Sequence, residues 1–337
     1  MRRLQNAVYK KRQIKSVKVA KSEHLNELLV EEKMLRKLVL FVALPLCACS
    51  QKKEIQPGTI DAVQMENYLN ALADSLHASL GVSFFDLETG QEFHFNEKEL
   101  MHAASTMKVP LMIELFRQAE ANEYAMDDSI IVKNEFRSIV DGSAYSISDD
   151  SEKTLYEKID QPVSMRKLNE LMITMSSNLA TNLLIEKVEA RRVMQTMAEI
   201  GANDIQVLRG VEDLKAYRKG WSNRTTAFDM MLVMRAIAEK KIVSEQSCDE
   251  MISILKRQHF RKKIPAGVPV EIEVASKTGN ITAIDHDCAI VFPKERKPYV
   301  LVVLTKGVAS QETASEAIAA ISKKIYESLR PVNDNIS

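Results

Sequence analysis

No Cys-x-x-Cys pair occurs in this chain of 337 residues, and its six histidines (24, 77, 94, 102, 259 and 286) fall at no metal-ligand spacing. Zinc chemistry is excluded on that pattern, and no metal or other cofactor is expected. No apolar run approaches the roughly 20 residues that a bilayer-spanning helix needs. Internal repeats and low-complexity segments are absent too. Neither sign of charge dominates, since 46 Lys and Arg face 46 Asp and Glu. That balance hides an asymmetry. Residues 1–33 carry nine basic and four acidic residues, and Arg36 and Lys37 follow. Without residues 1–48 the net charge becomes −7. A domain of that sign lacks the basic footprint that nucleic-acid phosphates demand, so no nucleic-acid partner is expected. Only Cys248 and Cys288 lie beyond residue 49. They are either a disulfide of an oxidising compartment or two small buried apolar groups.

What is present begins with "MLRKLVLFVALPLCACSQKK", residues 34–53. A short basic start precedes eleven apolar residues, Leu38 to Ala48. That run has the length of a signal-peptide h-region rather than a membrane span. Leu46-Cys47-Ala48-Cys49 at its end resembles the lipobox of bacterial lipoproteins. The resemblance implies cleavage of a signal peptide at 34–48, a lipid on Cys49, and an exported protein anchored to a bacterial membrane on its periplasmic side. An uncleaved tethering helix is the alternative. Residues 1–33 read as translated sequence upstream of a start at Met34, or as a cytoplasmic tail. Residues 49–58 read as a polar tether.

Beyond the tether the hydrophobic period changes twice. Residues 59–80 carry apolar residues at helical spacing, and 81–97 reads as a hairpin around a Gly-containing turn. From 105 to about 260 the pattern is helical, over 105–119, 164–174, 177–200, 225–240 and 244–257. Residues 129–162, rich in Ser, Asp and Gly, read as loop. "VEIEVASKTG", "HDCAIVFP" and "PYVLVVLTKG" then read as three successive strands, followed by a helix over 310–330. The expected architecture is α/β, an α+β sandwich. An antiparallel sheet from 59–100 and 266–330 is flanked by terminal helices, and an all-helical subdomain, 101–265, is inserted into it. The crossing from sheet to insert is where a cleft is expected.

At that crossing stands "AASTMKVPLMIELF", residues 103–116. Met107, Leu111, Met112, Leu115 and Phe116 recur at helical spacing, while Ser105 and Lys108 are polar and three residues apart. One reading is an N-cap serine followed by a solvated lysine. The other is a nucleophile with its base, since an amine at i+3 shares a face with the hydroxyl. Two further stretches bear on the choice. "MSSNLATNLLIE" places Ser176, Ser177 and Asn178 at the head of an apolar helix. "ASKTGN" places Lys277, Thr278 and Gly279 at the end of a strand, followed by Asn280.

S-x-x-K, S-D-N-like and K-T-G motifs in this order are the signature of class A β-lactamases and penicillin-binding proteins. Residues 59–330 thus resemble a class A β-lactamase catalytic domain. The resemblance implies an acyl-enzyme on Ser105, with Lys108 as its base and Ser176 as proton shuttle. Asn178 would bind the substrate's acyl side-chain amide, and Lys277 and Thr278 its carboxylate. The amides of Ser105 and Asn280 would hold the oxyanion, and Gly279 would leave room for substrate against the strand. A β-lactam is the expected substrate of a monomeric enzyme.

The departures from the family pattern matter. Ser177 stands where aspartate is usual. His286 stands where several class A enzymes have a carboxylate-binding arginine, and a solvent-facing strand histidine is the alternative there. "LRGVEDLKAYRKGWSNRTT", 208–226, takes the place of the Ω-loop without its E-P-x-L-N pattern. Glu212 is the candidate deacylating base, with Ala216 where a water-holding asparagine would be. "FRSIVDGSAYS", 136–146, resembles a divergent branch of related serine hydrolases. Two rivals remain: a DD-peptidase-like enzyme acting on peptidoglycan peptides, and a non-catalytic wall-binding or sensor domain.

Overall fold

The computed structural model describes residues 58–330. The segment 34–48, Cys49 and the tether up to residue 57 lie outside the described residues. Among the described residues no helix is long and apolar enough to cross a membrane.

Helix α1, Ala62–Leu76, starts where the Asp61 side chain accepts from the Gln64 amide, and buries Met65 and Leu69. His77 ends it in the left-handed region, turning the chain straight into a strand. Five strands form one antiparallel sheet: β1 Ser79–Asp86, β2 Glu92–Phe95, β3 Glu273–Ile281, β4 Ile284–Phe292 and β5 Tyr299–Lys306. Their spatial order is β2-β1-β5-β4-β3, so the first hairpin and the last three strands meet through β1 and β5. Register is strict, with Val82 opposite Val303 and Lys277 opposite Cys288.

Both faces of the sheet are covered, which explains why β5 reads as an unbroken apolar run rather than an alternating one. Leu301 and Val303 join Val274, Ala289 and Val291 on the face packed with α1 and the last helix. Val300, Val302 and Leu304 join Ala275, Cys288 and Ile290 on the face packed with the helical block. Cys248 and Cys288 are free thiols, fully buried, and act as small apolar groups.

The helical block contains α2 Lys108–Glu120, α3 Met165–Thr174, α4 Asn178–Val188, α5 Ala190–Glu199, α6 Leu214–Arg218, α7 Ala227–Ala238 and α8 Glu245–Lys256. Helix α9, Gln311–Ser328, closes the other face. Where sequence periodicity suggests one helix over 177–200, the structure has two. Glu189 adopts φ +66° and breaks the ladder between α4 and α5. The segment read as loop, 129–162, contains short paired strands, 129–131 with 162–164 and 136–137 with 144–145, and a 3₁₀ turn over 154–158.

Candidate active site

Ser105 lies in a 3₁₀ turn, Ala104–Met107, that runs directly into α2. Neither the turn nor α2 has a side-chain N-cap, so the capping role open to Ser105 in the sequence is not the one it plays. Ala104 before it sits at φ +46°, a left-handed conformation that alanine adopts only when its surroundings hold it there. Several groups do so. The Ala104 amide donates to His102 Nδ1 at 2.9 Å, and the Ala103 amide donates to the Asn223 carbonyl at 2.9 Å. Gly279 on β3 packs on the same turn. A Cβ there would meet the amide nitrogens of Ser105 at 2.9 Å and Thr106 at 3.0 Å. The room that Gly279 leaves is therefore taken by the nucleophile's own backbone, which corrects the expectation that it serves the substrate.

Lys108 begins α2 and is fully buried. Its Nζ donates to the Ser176 carbonyl at 2.7 Å and to Asn178 Oδ1 at 3.0 Å, and lies 3.3 Å from Ser176 Oγ. Among the described residues Ser105 Oγ makes no hydrogen bond, so the resting amine points to the S-S-N turn rather than to the nucleophile. Burial pulls the Lys108 ammonium down to about 7, against the pull of the nearby Asp150 and Glu212 charges. Lys277, on β3, reaches the other side of Ser176 Oγ at 3.0 Å. It too is fully buried, and burial together with the positive charge of Lys108 holds its ammonium well below the usual lysine range. Ser176 Oγ thus stands between two amines that burial makes unusually ready to give up a proton.

The backbone of Ser176 is strained in the same sense as Ala104, at φ +58°. Ser177, next in the chain, caps α4 by accepting from the Ala180 amide at 3.2 Å. Asn178 is already engaged on both ends of its amide. Its Oδ1 accepts from Lys108, and its Nδ2 donates to the Asp149 carbonyl at 2.9 Å and to Glu212 Oε1 at 3.3 Å. Thr278 is buried and its hydroxyl forms no hydrogen bond among the described residues, whereas Asn280 is exposed.

Glu212 sits at φ +60° on the segment after Gly210. Its other oxygen accepts from the Ser148 amide at 2.9 Å, so the half-buried carboxylate is held between Ser148 and Asn178. Asp213 behind it is structural. It caps α6 through the Ala216 amide and accepts from Ser138 Oγ at 2.8 Å and the Ile139 amide at 2.9 Å. The 136–146 stretch is thus a buttress for the Ω-like segment. Ala216 is fully buried within α6 and offers no polar group to a water molecule.

Sequence reasoning missed Asn182, which holds that segment from below. Asn182 Oδ1 accepts from the Val211 amide at 2.7 Å and Nδ2 donates to the Val211 carbonyl at 3.0 Å. A Cβ on Gly210 would lie 2.4 Å from Asn182 Oδ1. The available signal was an asparagine inside the apolar run of α4. Ser148 and Asp150 carry no comparable signal in the loop-like composition of 129–162.

His286 is placed differently from both sequence readings. It is fully buried in β4, neither facing solvent nor free to meet a substrate carboxylate. Burial pulls the imidazole down to about 4 and keeps it neutral. Nε2 lies 2.9 Å from the His102 carbonyl, and Nδ1 lies 2.7 Å from the Asp285 carbonyl and 3.1 Å from the Thr305 amide nitrogen. His286 therefore braces the segment leading into Ser105. A histidine buried neutral must gain its proton on unfolding, so the unfolded state binds more protons between about pH 6.5 and 4. The contribution of this residue to stability is present above that window and falls by about 3 kcal/mol across it. Urea unfolding at several pH values checks this. His286→Gln should lose one proton's worth of the acid slope, and an unchanged slope would contradict the assignment.

Among the described residues no group of three or more His, Cys, Asp or Glu is placed to hold a metal ion. The chain is similar to known proteins over most of its length. A family model described as "Beta-lactamase enzyme family" matches residues 64–329. Beta-lactamase AER-1 of Aeromonas hydrophila is 23% identical over 296 residues, which is 86% of this chain and 90% of that protein. The crystal structure of a beta-lactamase from Sphaerobacter thermophilus matches with a TM-score of 0.68 at 25% identity, over 80% of this chain and 98% of that one. The structure of PBP-A matches in fold with a TM-score of 0.70 at 23% identity, over 81% and 98% of the two chains.

Proposed function

This chain belongs to the beta-lactamase enzyme family, and from that premise we propose a class A type of acyl transfer, in which Ser105 opens a β-lactam ring and water later releases the product. One observation carries the proposal: Ser176 Oγ held between the amines of Lys108 and Lys277, at 3.3 and 3.0 Å, with Ser105 in the turn that leads into Lys108 and free of any capping role. Ser105 Oγ attacks the lactam carbonyl and its proton passes to the free amine of Lys108. Ser176 relays a proton to the lactam nitrogen as the C–N bond breaks, which leaves an ester on Ser105. The amides of Ser105 and Asn280 hold the oxyanion, and Lys277 and Thr278 receive the substrate carboxylate. Water, its proton taken by Glu212, then attacks the ester and the proton returns to Ser105. The peptidase reading uses Ser105, Lys108, Ser176 and Lys277 in the same way without needing Glu212. The Glu212 carboxylate, one hydrogen bond from the Asn178 amide that also meets Lys108, favours the hydrolase.

Incubation with a chromogenic cephalosporin followed by intact-protein mass tests this. We expect an adduct on Ser105 that disappears in Ser105→Ala. An adduct on Ser176, or none at any concentration, rejects the reading.

We also propose that the protein is exported and lipid-anchored through Cys49. Leu46–Cys49 resembles a lipobox after an h-region, and two acyl chains make membrane attachment stable where one is marginal. Cells labelled with a fatty-acid analogue should mark the wild type and not Cys49→Ala. Equal labelling of the two would end the idea.

A further inference from the structure

Asp150 is a buried carboxylate on the loop before the 154–158 turn, with no ion-pair partner among the described residues, yet one carboxylate receives five hydrogen bonds. Oδ1 accepts from the Asn178 amide at 2.9 Å and the Glu152 amide at 3.2 Å. Oδ2 accepts from the Leu179 amide at 2.9 Å, the Tyr156 hydroxyl at 3.1 Å and Ser177 Oγ at 3.2 Å. Three of the five donors belong to Ser177, Asn178 and Leu179, at the head of α4. The orphan amides and positive end of a helix favour an anion at that place.

Lys108 grips the same stretch from the other side, through the carbonyls of Ser176 and Ser177 and the amide oxygen of Asn178. A carboxylate on the N–H groups and an ammonium on the carbonyls together fix a turn whose first residue, Ser176, is held at φ +58°. The S-S-N triad has no acid of its own, since Ser177 is a hydroxyl that caps Ala180 and donates to Asp150. We propose that Asp150 is a positioning residue for the acyl transfer: 27 residues upstream of Ser177, it supplies the negative charge that orients Ser176 and Asn178 and complements Lys108. The proposal rests on the reading of Ser105, Lys108 and Ser176 given above.

The carboxylate is transferable. Ser177 Oγ lies 3.2 Å from Asp150 Oδ2 and already meets the Ala180 amide, so an aspartate at 177 would put a charge at the same helix end. The experiment compares wild type, Asp150→Asn, Ser177→Asp and the exchange Asp150→Ser/Ser177→Asp. It reads the pH dependence of penicillin acylation, thermal unfolding, and the titration of Lys108 by NMR of ¹³Cε-labelled lysine, assigned with Lys108→Arg.

Asp150→Asn should slow acylation by about 10- to 100-fold, the cost of misplacing a reacting group by about 1 Å. Removing a negative charge also eases deprotonation of Lys108, so the acid limb should move to lower pH by about one unit. The exchange should recover most of the rate and bring the limb back. Ser177→Asp alone should be slower than wild type, because two carboxylates then share one turn. An unmoved Lys108 titration in folded Asp150→Asn overturns the proposal, and so does an exchange variant no faster than the single one. If Asp150→Asn does not fold, the exchange variant, which keeps a carboxylate at the helix end, decides by its rate and limb. If wild type is not acylated by penicillin, the acyl-transfer reading fails, while the Lys108 titration still answers for Asp150.

Discussion

Lys108→Ala is expected to slow formation of the Ser105 adduct by about 10²–10⁴, the usual worth of a positioned general base. The substitution also takes a donor from the Ser176 and Ser177 carbonyls and from Asn178 Oδ1, so some of the loss will come from a loosened turn. The pH profile separates the two causes. In the wild type the free amine is the competent form, and burial sets its pKa at about 7. Acylation should therefore be slow below pH 6, rise through pH 7 and level off above pH 8. In Lys108→Ala the rise through pH 7 should disappear, because the amine that produces it is gone. A rise through pH 7 that persists in Lys108→Ala would move the base to another residue. Lys277, the other amine on Ser176 Oγ, would be the next to examine.

The features that were legible in the sequence share a physical origin. Ser105 and Lys108, and Ser176–Asn178, sit at the head of a helix, and Lys277–Gly279 lie within β3 rather than at its end; in each a polar residue interrupts an apolar pattern. The five-stranded sheet was readable for a related reason, since strands buried on both faces give short apolar runs too long and too β-branched to be turns. The break at Glu189 was not readable, because its positive φ leaves no mark in composition. His286 was misplaced because the burial of a strand residue depends on what packs across it. The His102 carbonyl that meets its Nε2 lies 184 positions away. Asp150 and Ser148 were invisible for the same reason. Asp150 accepts from the Asn178 amide and Ser148 donates its own amide to Glu212, and a residue in a Ser- and Asp-rich loop looks the same whether or not it makes such bonds. Asn182 was the exception that sequence could have found, since a buried amide in an apolar helix needs partners.

Glu212→Gln is expected to leave acylation intact at pH 8 and to slow release of the product by about 10² or more. The ester on Ser105 needs an activated water, and Glu212 is the carboxylate turned into the turn beside Lys108, fixed by the Ser148 amide and Asn178. Its backbone at φ +60° is a strained conformation that the Asn182 and Asp213 contacts on either side maintain, which places the carboxylate deliberately. A general base in that place contributes roughly 10²–10⁴ in rate, or about 3–5 kcal/mol of barrier. The water itself is less well held. Buried Ala216, four residues after Glu212, presents only a methyl group. Release should therefore already be slow in the wild type, with acyl-enzyme accumulating. The expected record is a burst of hydrolysed β-lactam equal to the enzyme concentration, followed by a low steady rate. Glutamine keeps the size and shape of Glu212 but accepts at only one end and cannot take a proton, so the burst should survive and the steady rate should fall. An unchanged steady rate in Glu212→Gln would reduce this residue to a loop brace. The peptidase reading, which needs Ser105, Lys108, Ser176 and Lys277 but no deacylating carboxylate, would then describe the site better.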